Sequence, residues 1–238
     1  MKNCLCRNLL LIGCGAIFAV SGFSQKRDPP NKKIVPPAPA ARKFQLSKMD
    51  NAVFDELNQA RKQPKIYIGY LEEQRAALRG MIVRMPSKVD VRTIEGAAAI
   101  DEAVGDLNRV AALENFTISE GLTGVARAQL ADLQENSKLG HFGKDGSDLK
   151  TRLARFGSSK GKCGENICHR GLTAREVVAI FLVDDGVAAR SHRKAVLSRN
   201  FKQIGVACGA GKNAESLCVV VFADDFKEKS SVSGIVEF

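Results

Sequence analysis

The spacing of apolar residues predicts helices over most of the first part of the folded region. After Asp50, which we expect to cap a helix, apolar side chains recur three and four positions apart until Pro64 ends the run. The segment 80–91 contains Pro86 and is predicted to be irregular. The same helical spacing predicts four further helices: Tyr67–Leu78, Thr93–Leu113, one from the cap Ser119 to about Leu133, and Asp148–Phe156 between the cap Ser147 and Gly157.

The later part of the chain changes to a pattern of helix and strand. Thr173 and Glu176 are spaced as a capping box at the start of an apolar helix. Two β-branched runs follow, Gln203–Cys208 and Leu217–Ala223, with a Gly-rich turn at 209–213 between them. Helices around a small, mostly antiparallel sheet indicate an α+β fold.

Candidate chemistry is concentrated between positions 140 and 205, which hold all three histidines of the chain. His141 and His192 stand in turns led by Gly or Ser, whereas His169 follows Cys168 and is expected to be exposed. Two carboxylates, Glu165 and Asp184, lie between the two turn histidines. Two imidazoles and two carboxylates can form a divalent-metal site or an acid–base set.

These residues occur in short motifs that resemble the CAP superfamily, which includes the cysteine-rich secretory, antigen 5 and pathogenesis-related proteins. The resemblance spans roughly residues 50–226 and is closest to the bacterial SCP-like branch. It implies the family's α–β–α sandwich, with a small mostly antiparallel sheet between helices. The motifs that carry it are Gly140-His141, Gly164-Glu165-Asn166, Asp184-Asp185-Gly186-Val187 and Arg190-Ser191-His192-Arg193.

The resemblance also implies a cleft with two histidines and two acids. By motif order, His141 and His192 match the histidines, and Glu165 matches the first acid. The second acid of the family is usually Glu, but here Asp184 stands in its place and is shorter by one methylene. The resemblance therefore implies zinc or another divalent cation bound weakly by the two histidines, with the acids nearby. A purely structural role for the pair is the alternative.

Glu165 is the carboxylate whose position we expect to be most constrained. Gly164 should allow a tight turn before it, and a Cys163–Cys168 disulfide would hold the loop that presents it. Glu165 is accordingly the candidate general base. The alternative is a carboxylate that only satisfies buried amide groups.

Three functions are compatible with this set of residues. The first is a non-catalytic binding module, with a cleft for a divalent ion and other surfaces for a lipid or protein partner. The second is a metal-assisted, protease-like hydrolase in which Glu165 activates a water, and the third is a structural or interaction domain. No His-Glu-x-x-His motif or third strong ligand is present, so an enzyme is not the leading expectation. A Ser–His mechanism is disfavoured, because Ser147 is interpreted as a helix cap and Ser191 is adjacent to His192.

The start of the chain predicts export. Residues 1–25 combine a basic start, an apolar stretch and small residues, so the mature chain should begin near Gln25, outside the cytoplasm and without a transmembrane helix. A lipoprotein box at Cys14, carrying a lipid anchor, is the alternative. The Pro- and Lys-rich segment 26–43 is interpreted as a linker. The remaining boundaries are a CAP-type domain at 44–228, with a helical part at about 50–115 and a motif-bearing core at about 116–226, and a tail at 229–238.

The net charge of +10 does not indicate a nucleic-acid partner. Residues 1–43 carry +7 of it, so the excess belongs to the leader and linker and not to a folded face. The chain is 45% apolar, which is enough for a sizeable core.

Four cysteines follow the leader, and an even number in an exported chain indicates disulfides. Four cysteines allow three connectivities. Cys163–Cys168 and Cys208–Cys218 are favoured because each pair is local and the second would lie across a hairpin. Free buried thiols are the alternative.

Overall fold

The computed structural model describes residues 44–135, 140–211 and 216–229. The expected signal peptide and linker, Cys14, and the tail from residue 230 lie outside these ranges, as does part of the turn at 209–213. The elements, in chain order, are α1 (Lys48–Lys62), α2 (Pro64–Ala77), β1 (Leu78–Arg79), β2 (Ile82–Arg84), β3 (Asp90–Arg92), α3 (Ala97–Arg109), β4 (Thr117–Ile118), α4 (Glu120–Glu135), α5 (Leu149–Phe156), β5 (Gly157–Ser159), β6 (Cys163–His169), α6 (Ala174–Val183), α7 (Ser191–Val196), β7 (Gln203–Ala210), β8 (Ser216–Ala223) and β9 (Phe226–Glu228).

A four-stranded sheet with the order β4-β7-β8-β6 forms the middle layer. β7 and β8 are the predicted hairpin, β6 pairs antiparallel with β8, and β4 pairs parallel with β7. Side chains along β8 alternate between two cores: Val220 and Phe222 pack with α1 and α6, whereas Val219 and Val221 pack with α4. Helices therefore cover both faces of the sheet, which confirms the predicted α+β fold and its α–β–α layering.

The segment predicted to be irregular before α3 forms a small antiparallel sheet, β1-β2-β3. Val83 lies opposite Val91, and the turn between their strands contains Pro86. Proline therefore stands outside the ladder, where its missing N–H costs no strand hydrogen bond. The sheet is tied to α6, because the carboxylate of Glu176 accepts a hydrogen bond from the backbone N–H of Ser87 at 2.9 Å.

The helix starts agree with the predictions in part. The Thr173–Glu176 capping box is present, and the hydroxyl of Ser119 accepts from the N–H of Leu122 at the start of α4. Two caps were predicted at the wrong residue. Ser47 caps α1 and Asp50 is the N3 residue of its capping box, and Asp148 caps α5 in place of Ser147.

The expected loop from Cys163 to Cys168 is the edge strand β6, so the Cys163–Cys168 disulfide prediction is wrong. Residues five apart in a strand point to opposite faces and are separated by roughly 16 Å. A disulfide requires Cα atoms within about 7 Å. The other predicted bridge, Cys208–Cys218, is formed between β7 and β8, with its Cα atoms 4.1 Å apart.

Gly164 does not make the tight turn expected before Glu165, because it is paired with Phe222 within the β6–β8 ladder. None of the described helices is long and apolar enough to cross a membrane.

Substitution of Gly205 should test how closely α4 packs on the sheet. A Cβ at Gly205 would lie 2.0 Å from the carbonyl carbon of Leu122, and this contact is with helix backbone that cannot rotate away. We expect Gly205→Ala to lower the free energy of unfolding by about 3 kcal/mol, measured by urea denaturation.

Gly69→Ala is the matched control. Gly69 is exposed on α2 and a Cβ there meets nothing within 4 Å, so alanine should stabilise the helix by about 0.5–1 kcal/mol. Equal effects of the two substitutions would show that α4 does not approach β7 this closely.

Candidate functional site

His141 is paired with Glu165. Its Nδ1 lies 2.9 Å from Oε1 of Glu165, whose side chain is only 2% exposed, whereas the imidazole is 54% exposed. The histidine comes from the loop before α5, and the glutamate comes from β6 on the face that also carries Cys163 and Ile167. A carboxylate only accepts hydrogen bonds, so this contact places the hydrogen on Nδ1 and the lone pair on Nε2.

Arg152 holds this pair in place from α5. Its Nη2 donates to Oε2 of Glu165 at 2.8 Å, and its Nη1 donates to the carbonyls of His141 and Ser147 at 3.1 and 2.8 Å. The Arg152 side chain is completely buried. One guanidinium therefore compensates the charge of the buried glutamate and fixes the backbone of the histidine loop.

Sequence reasoning missed Arg152, although the chain carries a signal for it. The apolar stripe of α5 runs through Leu149, Leu153 and Phe156, and Arg152 stands in that stripe at helical spacing. An arginine inside an apolar stripe is directed into the core, where arginine is almost never buried without a charged or polar partner. The acidic partner is Glu165.

The second pair joins His192 to Asp184. Nδ1 of His192 lies 2.7 Å from Oδ1 of Asp184, and Oδ2 of Asp184 accepts from the backbone N–H groups of His192 at 2.8 Å and Arg193 at 3.3 Å. Asp184 has a left-handed backbone conformation, φ 53°, where it caps the end of α6. Its carboxylate therefore fixes the start of α7 and the imidazole together.

Two further residues position His192. Nδ2 of Asn166 donates to the carbonyl of His192 at 3.2 Å, and the ring of Phe181 lies 5.8 Å from the imidazole, centroid to centroid. Asn166 follows Glu165 in β6, so the two side chains leave the strand on opposite faces. Strand β6 consequently contacts one histidine on each side of the sheet. Asn166 was expected to tie a turn, whereas it ties the strand to α7.

The arginines next to His192 are neutralised by acids from the segment around α3. Arg190 contacts Glu95 and Glu102, and Arg193 contacts Glu102 and Asp106. The hydrogen bond from Arg190, together with one from the N–H of Gly186, lowers the pKa of Glu95 to about 2. Both arginines are thus structural partners of α3, and little of their charge is left to act on the imidazole.

The two histidines line different cavities. His192 and Asp184 line a cavity of about 400 Å³ between the β1-β2-β3 sheet and α6. His141 borders a cavity of about 640 Å³ beside α5. Among residues 44–135, 140–211 and 216–229, no three His, Cys, Asp or Glu side chains form a group that could hold a metal. The sharing of one metal by His141 and His192 stays a prediction.

Neither acid is available for other work in this arrangement. The oxygens of Glu165 are engaged by His141 and Arg152, and those of Asp184 by His192 and the first amides of α7. Both side chains are 2% exposed or less. The acids orient the imidazoles. For either acid to bind a metal directly, its hydrogen bond to the imidazole would have to break.

Arg152→Met should be strongly destabilising, because it leaves the Glu165 carboxylate buried without its cation. We expect a loss of about 3–5 kcal/mol in the free energy of unfolding. Arg155→Met on the same helix is the control: its ion pair with Asp145 is about half exposed and should contribute little. The prediction fails if the two variants unfold at the same urea concentration.

Comparison with known proteins places this geometry in a family. The chain is 32% identical to the uncharacterized protein YkwD of Bacillus subtilis over 94 residues, which cover 40% of this chain and 35% of the relative. The match therefore spans only about a third of that relative. An outer surface protein of Borrelia burgdorferi is similar in structure with a TM-score of 0.41 and 19% identity, over 71% of this chain and 96% of that one. An extracellular SCP-domain protein of Bacillus anthracis gives 0.38 and 17%, over 59% and 44%.

Residues 54–222 match the CAP family, described as the cysteine-rich secretory protein family. This stretch contains both histidine–carboxylate pairs, Arg152 and all four strands of the main sheet except the last residue of β8. The expected resemblance is thereby confirmed. The chain belongs to the CAP family.

Proposed function

We propose that this protein is an exported, non-catalytic CAP-domain binding module whose ligand is an apolar chain held in the 400 Å³ cavity beside His192. The size and aliphatic lining of that cavity carry the proposal, since ligand sites are typically concave, mostly apolar and of this volume. Export is supported by the signal-peptide pattern of residues 1–25 and by the Cys208–Cys218 disulfide, a bond typical of exported proteins.

The cavity is lined by aliphatic residues and by polar ones. Its roof is the β1-β2-β3 sheet, in which Val83 and Met85 are buried while their neighbours Ile82 and Arg84 are exposed. The polar lining residues are Gln74, Arg92, Thr93, His169, Arg170, Asp184, Asp185 and His192. The aliphatic lining residues include Val83, Met85, Val91, Ile100, Ile167, Ala179, Ile180, Val183 and Val187. A hydrocarbon chain with a polar head group would find partners for both of its parts in such a mixed lining, so a single-chain lipid is the ligand class that we propose.

The roof is anchored at both ends. Ser87 is bound to Glu176, and the carboxylate of Asp185 accepts from the backbone N–H groups of Ile94 and Glu95 at 2.6 and 2.8 Å. Ile82 and Ile94 are large apolar residues at its exposed side, 41% and 72% accessible. Anchors of this kind keep the cavity formed without ligand, which reduces the entropy cost of binding.

A weak divalent-metal site is the second part of the proposal. Each imidazole is oriented by a carboxylate through Nδ1, which leaves Nε2 as the metal-binding nitrogen, the usual arrangement of partners around zinc-bound histidine. Two nitrogens from this chain would leave water in the remaining positions, so binding should be weak and not required for folding. When bound, zinc would supply a Lewis acid at the histidines.

The hydrolase alternative is less well supported. A general base needs an oxygen within reach of a water, whereas both oxygens of Glu165 are engaged and the side chain is buried. The structural-domain alternative explains the buried pairs but gives no role to the cavity.

Filling the cavity should abolish binding of an apolar chain. Val91 is half-buried on β3 and lines the cavity, so Val91→Phe should weaken binding of a fluorescent fatty-acid analogue by at least about tenfold. Ile82→Phe, on the exposed side of the same small sheet, is the control and should bind as the wild type does. Equal binding by Val91→Phe and wild type, or no binding by wild type, would overturn this part of the proposal.

Zinc binding should depend on both histidines. We expect calorimetry to detect weak binding to the wild type, and weaker binding in acid, because protons and zinc compete for the same imidazole nitrogen. Replacing His141 and His192 with Ala should abolish it while circular dichroism stays unchanged, since neither ring is needed to complete the core. His169→Ala is the control, with zinc binding retained. Equal zinc binding by the double variant and wild type would remove the site.

A further inference from the structure

Three cysteines lie in one row across the main sheet. Cys168 of β6 is directly opposite Cys218 of β8, and Cys218 is directly opposite Cys208 of β7. Residues directly opposite in antiparallel strands point to the same face, so all three sulfurs are on the side that packs against α1 and α6. The central cysteine therefore has a cysteine neighbour on each side.

The pairs Cys208–Cys218 and Cys168–Cys218 occupy different kinds of position in the ladder, and the spacing of each is compatible with a disulfide. Cys208 and Cys218 are the bonded pair, with Cα atoms 4.1 Å apart, a spacing typical of a non-hydrogen-bonded position. On the other side, the N–H of Arg170 donates to the carbonyl of Ser216 two positions along the ladder, so Cys168 and Cys218 occupy a hydrogen-bonded position. Cα atoms in such positions are about 5.5 Å apart, which is within the common range for disulfides.

We propose that Cys218 is a shared partner and that the disulfide can move from Cys208–Cys218 to Cys168–Cys218. The thiolate of Cys168 attacks Sγ of Cys218, the bond between Cys218 and Cys208 breaks, and Cys208 leaves as a thiolate. Cys208 then takes up a proton in place of the one that Cys168 released. One S–S bond breaks and one forms, so no external oxidant or reductant takes part.

The row favours this reaction geometrically. When a thiolate attacks one sulfur of a disulfide, the sulfur on the far side of the attacked atom leaves. Cys168 and Cys208 lie on opposite sides of Cys218, so the attacking and leaving sulfurs are on opposite sides of the sulfur that is exchanged. The three strands belong to one hydrogen-bonded ladder, which keeps the three cysteines next to one another. The reaction is therefore intramolecular, and the effective concentration of the attacking thiolate is high.

The exchange would move a thiol between two environments. Cys168 is 2% exposed and lines the 400 Å³ cavity, whereas Cys208 is half-buried at the end of the hairpin. The thiol would thus leave the cavity wall and appear where an external reagent or a partner's thiol reaches it more easily. This consequence is independent of what the cavity binds.

The surroundings of Cys168 make the exchange slow at neutral pH. Burial raises the pKa of its thiol to about 12; a hydrogen bond from the backbone of Gly171 opposes this rise, and the carboxylate of Glu176 on α6 adds to it. Asp50 of α1 accepts a hydrogen bond from the N–H of Cys208, and His169 follows Cys168 in β6. Alkaline conditions should therefore accelerate the exchange by increasing the thiolate fraction.

The first experiment uses Cys208→Ser, combined with Cys163→Ser so that Cys168 and Cys218 are the remaining cysteines after the leader. The full chain is refolded with oxidised glutathione, alkylated, and digested with pepsin at acid pH, where exchange stops. We expect the peptides of Cys168 and Cys218 to be disulfide-linked and unalkylated. The Cys163→Ser variant alone is the control and should retain a disulfide at Cys218. Alkylation of both Cys168 and Cys218 in the folded double variant would overturn the proposal.

The second experiment uses wild-type protein, and so does not depend on whether the variant folds. The folded protein is kept at about pH 9 with iodoacetamide for roughly a day, longer than uncatalysed disulfide rearrangement requires. We expect alkylated Cys208 to accumulate together with a Cys168–Cys218 link, since alkylation traps the released thiol. An intact Cys208–Cys218 link with no alkylation of Cys208, whatever the state of Cys168, would overturn the proposal.

Discussion

The carboxylate of Asp184 is the contact on which the His192 side of the site depends. The residue Asp184 ends α6 in a left-handed backbone conformation. Its carboxylate accepts hydrogen bonds from two backbone N–H groups of α7 and contacts the imidazole of His192. A left-handed backbone is costly for any residue except glycine, and Asp and Asn tolerate it best because their short side chains bond locally. The turn geometry thus explains why a short acid suits this position: from the left-handed backbone of Asp184, its carboxylate reaches both the imidazole and the first N–H groups of α7.

Charge pairs between separate elements hold the segments that carry the two histidines. Glu165 is compensated by Arg152, and Arg193 by Glu102 and Asp106, in each case across separate elements of the fold. Such pairs return little net stability, because removing two charges from water costs most of what their attraction gains. Their effect is on geometry, since only one arrangement satisfies both partners. The backbone segments of His141 and His192 are therefore held in one position relative to their neighbours.

Strand β6 links the functional features of the molecule. Its neighbouring residues Glu165 and Asn166 contact His141 on one face of the sheet and His192 on the other. Cys168, farther along the same strand, lies beside the disulfide and on the wall of the cavity under the β1-β2-β3 sheet. A ligand in that cavity, a metal held by the two histidines and a thiol of the cysteine row would all act on one edge strand.

The sequence by itself determined the features that depend on neighbours along the chain. Helical stripes, the Thr173–Glu176 capping box and the β7–β8 hairpin with Cys208–Cys218 were predictable, because each arises from contacts within a few residues or across one turn. The fold class also followed from the sequence, through the resemblance of its motifs to a family. The same resemblance pointed to His141, Glu165, Asp184 and His192, which the structure joins as two histidine–carboxylate pairs.

Only the tertiary structure decided which of these residues meet and where the polar loops become strands. Cys163–Cys168 was expected to be a bridged loop, yet the segment is a strand because β8 offers it a partner, and strand formation depends on such pairing more than on local propensity. The same reason explains the unexpected β1-β2-β3 sheet. Arg152 was missed because its partner, Glu165, reaches it from a different element, and a buried ion pair exists only once the fold has brought its two charges together.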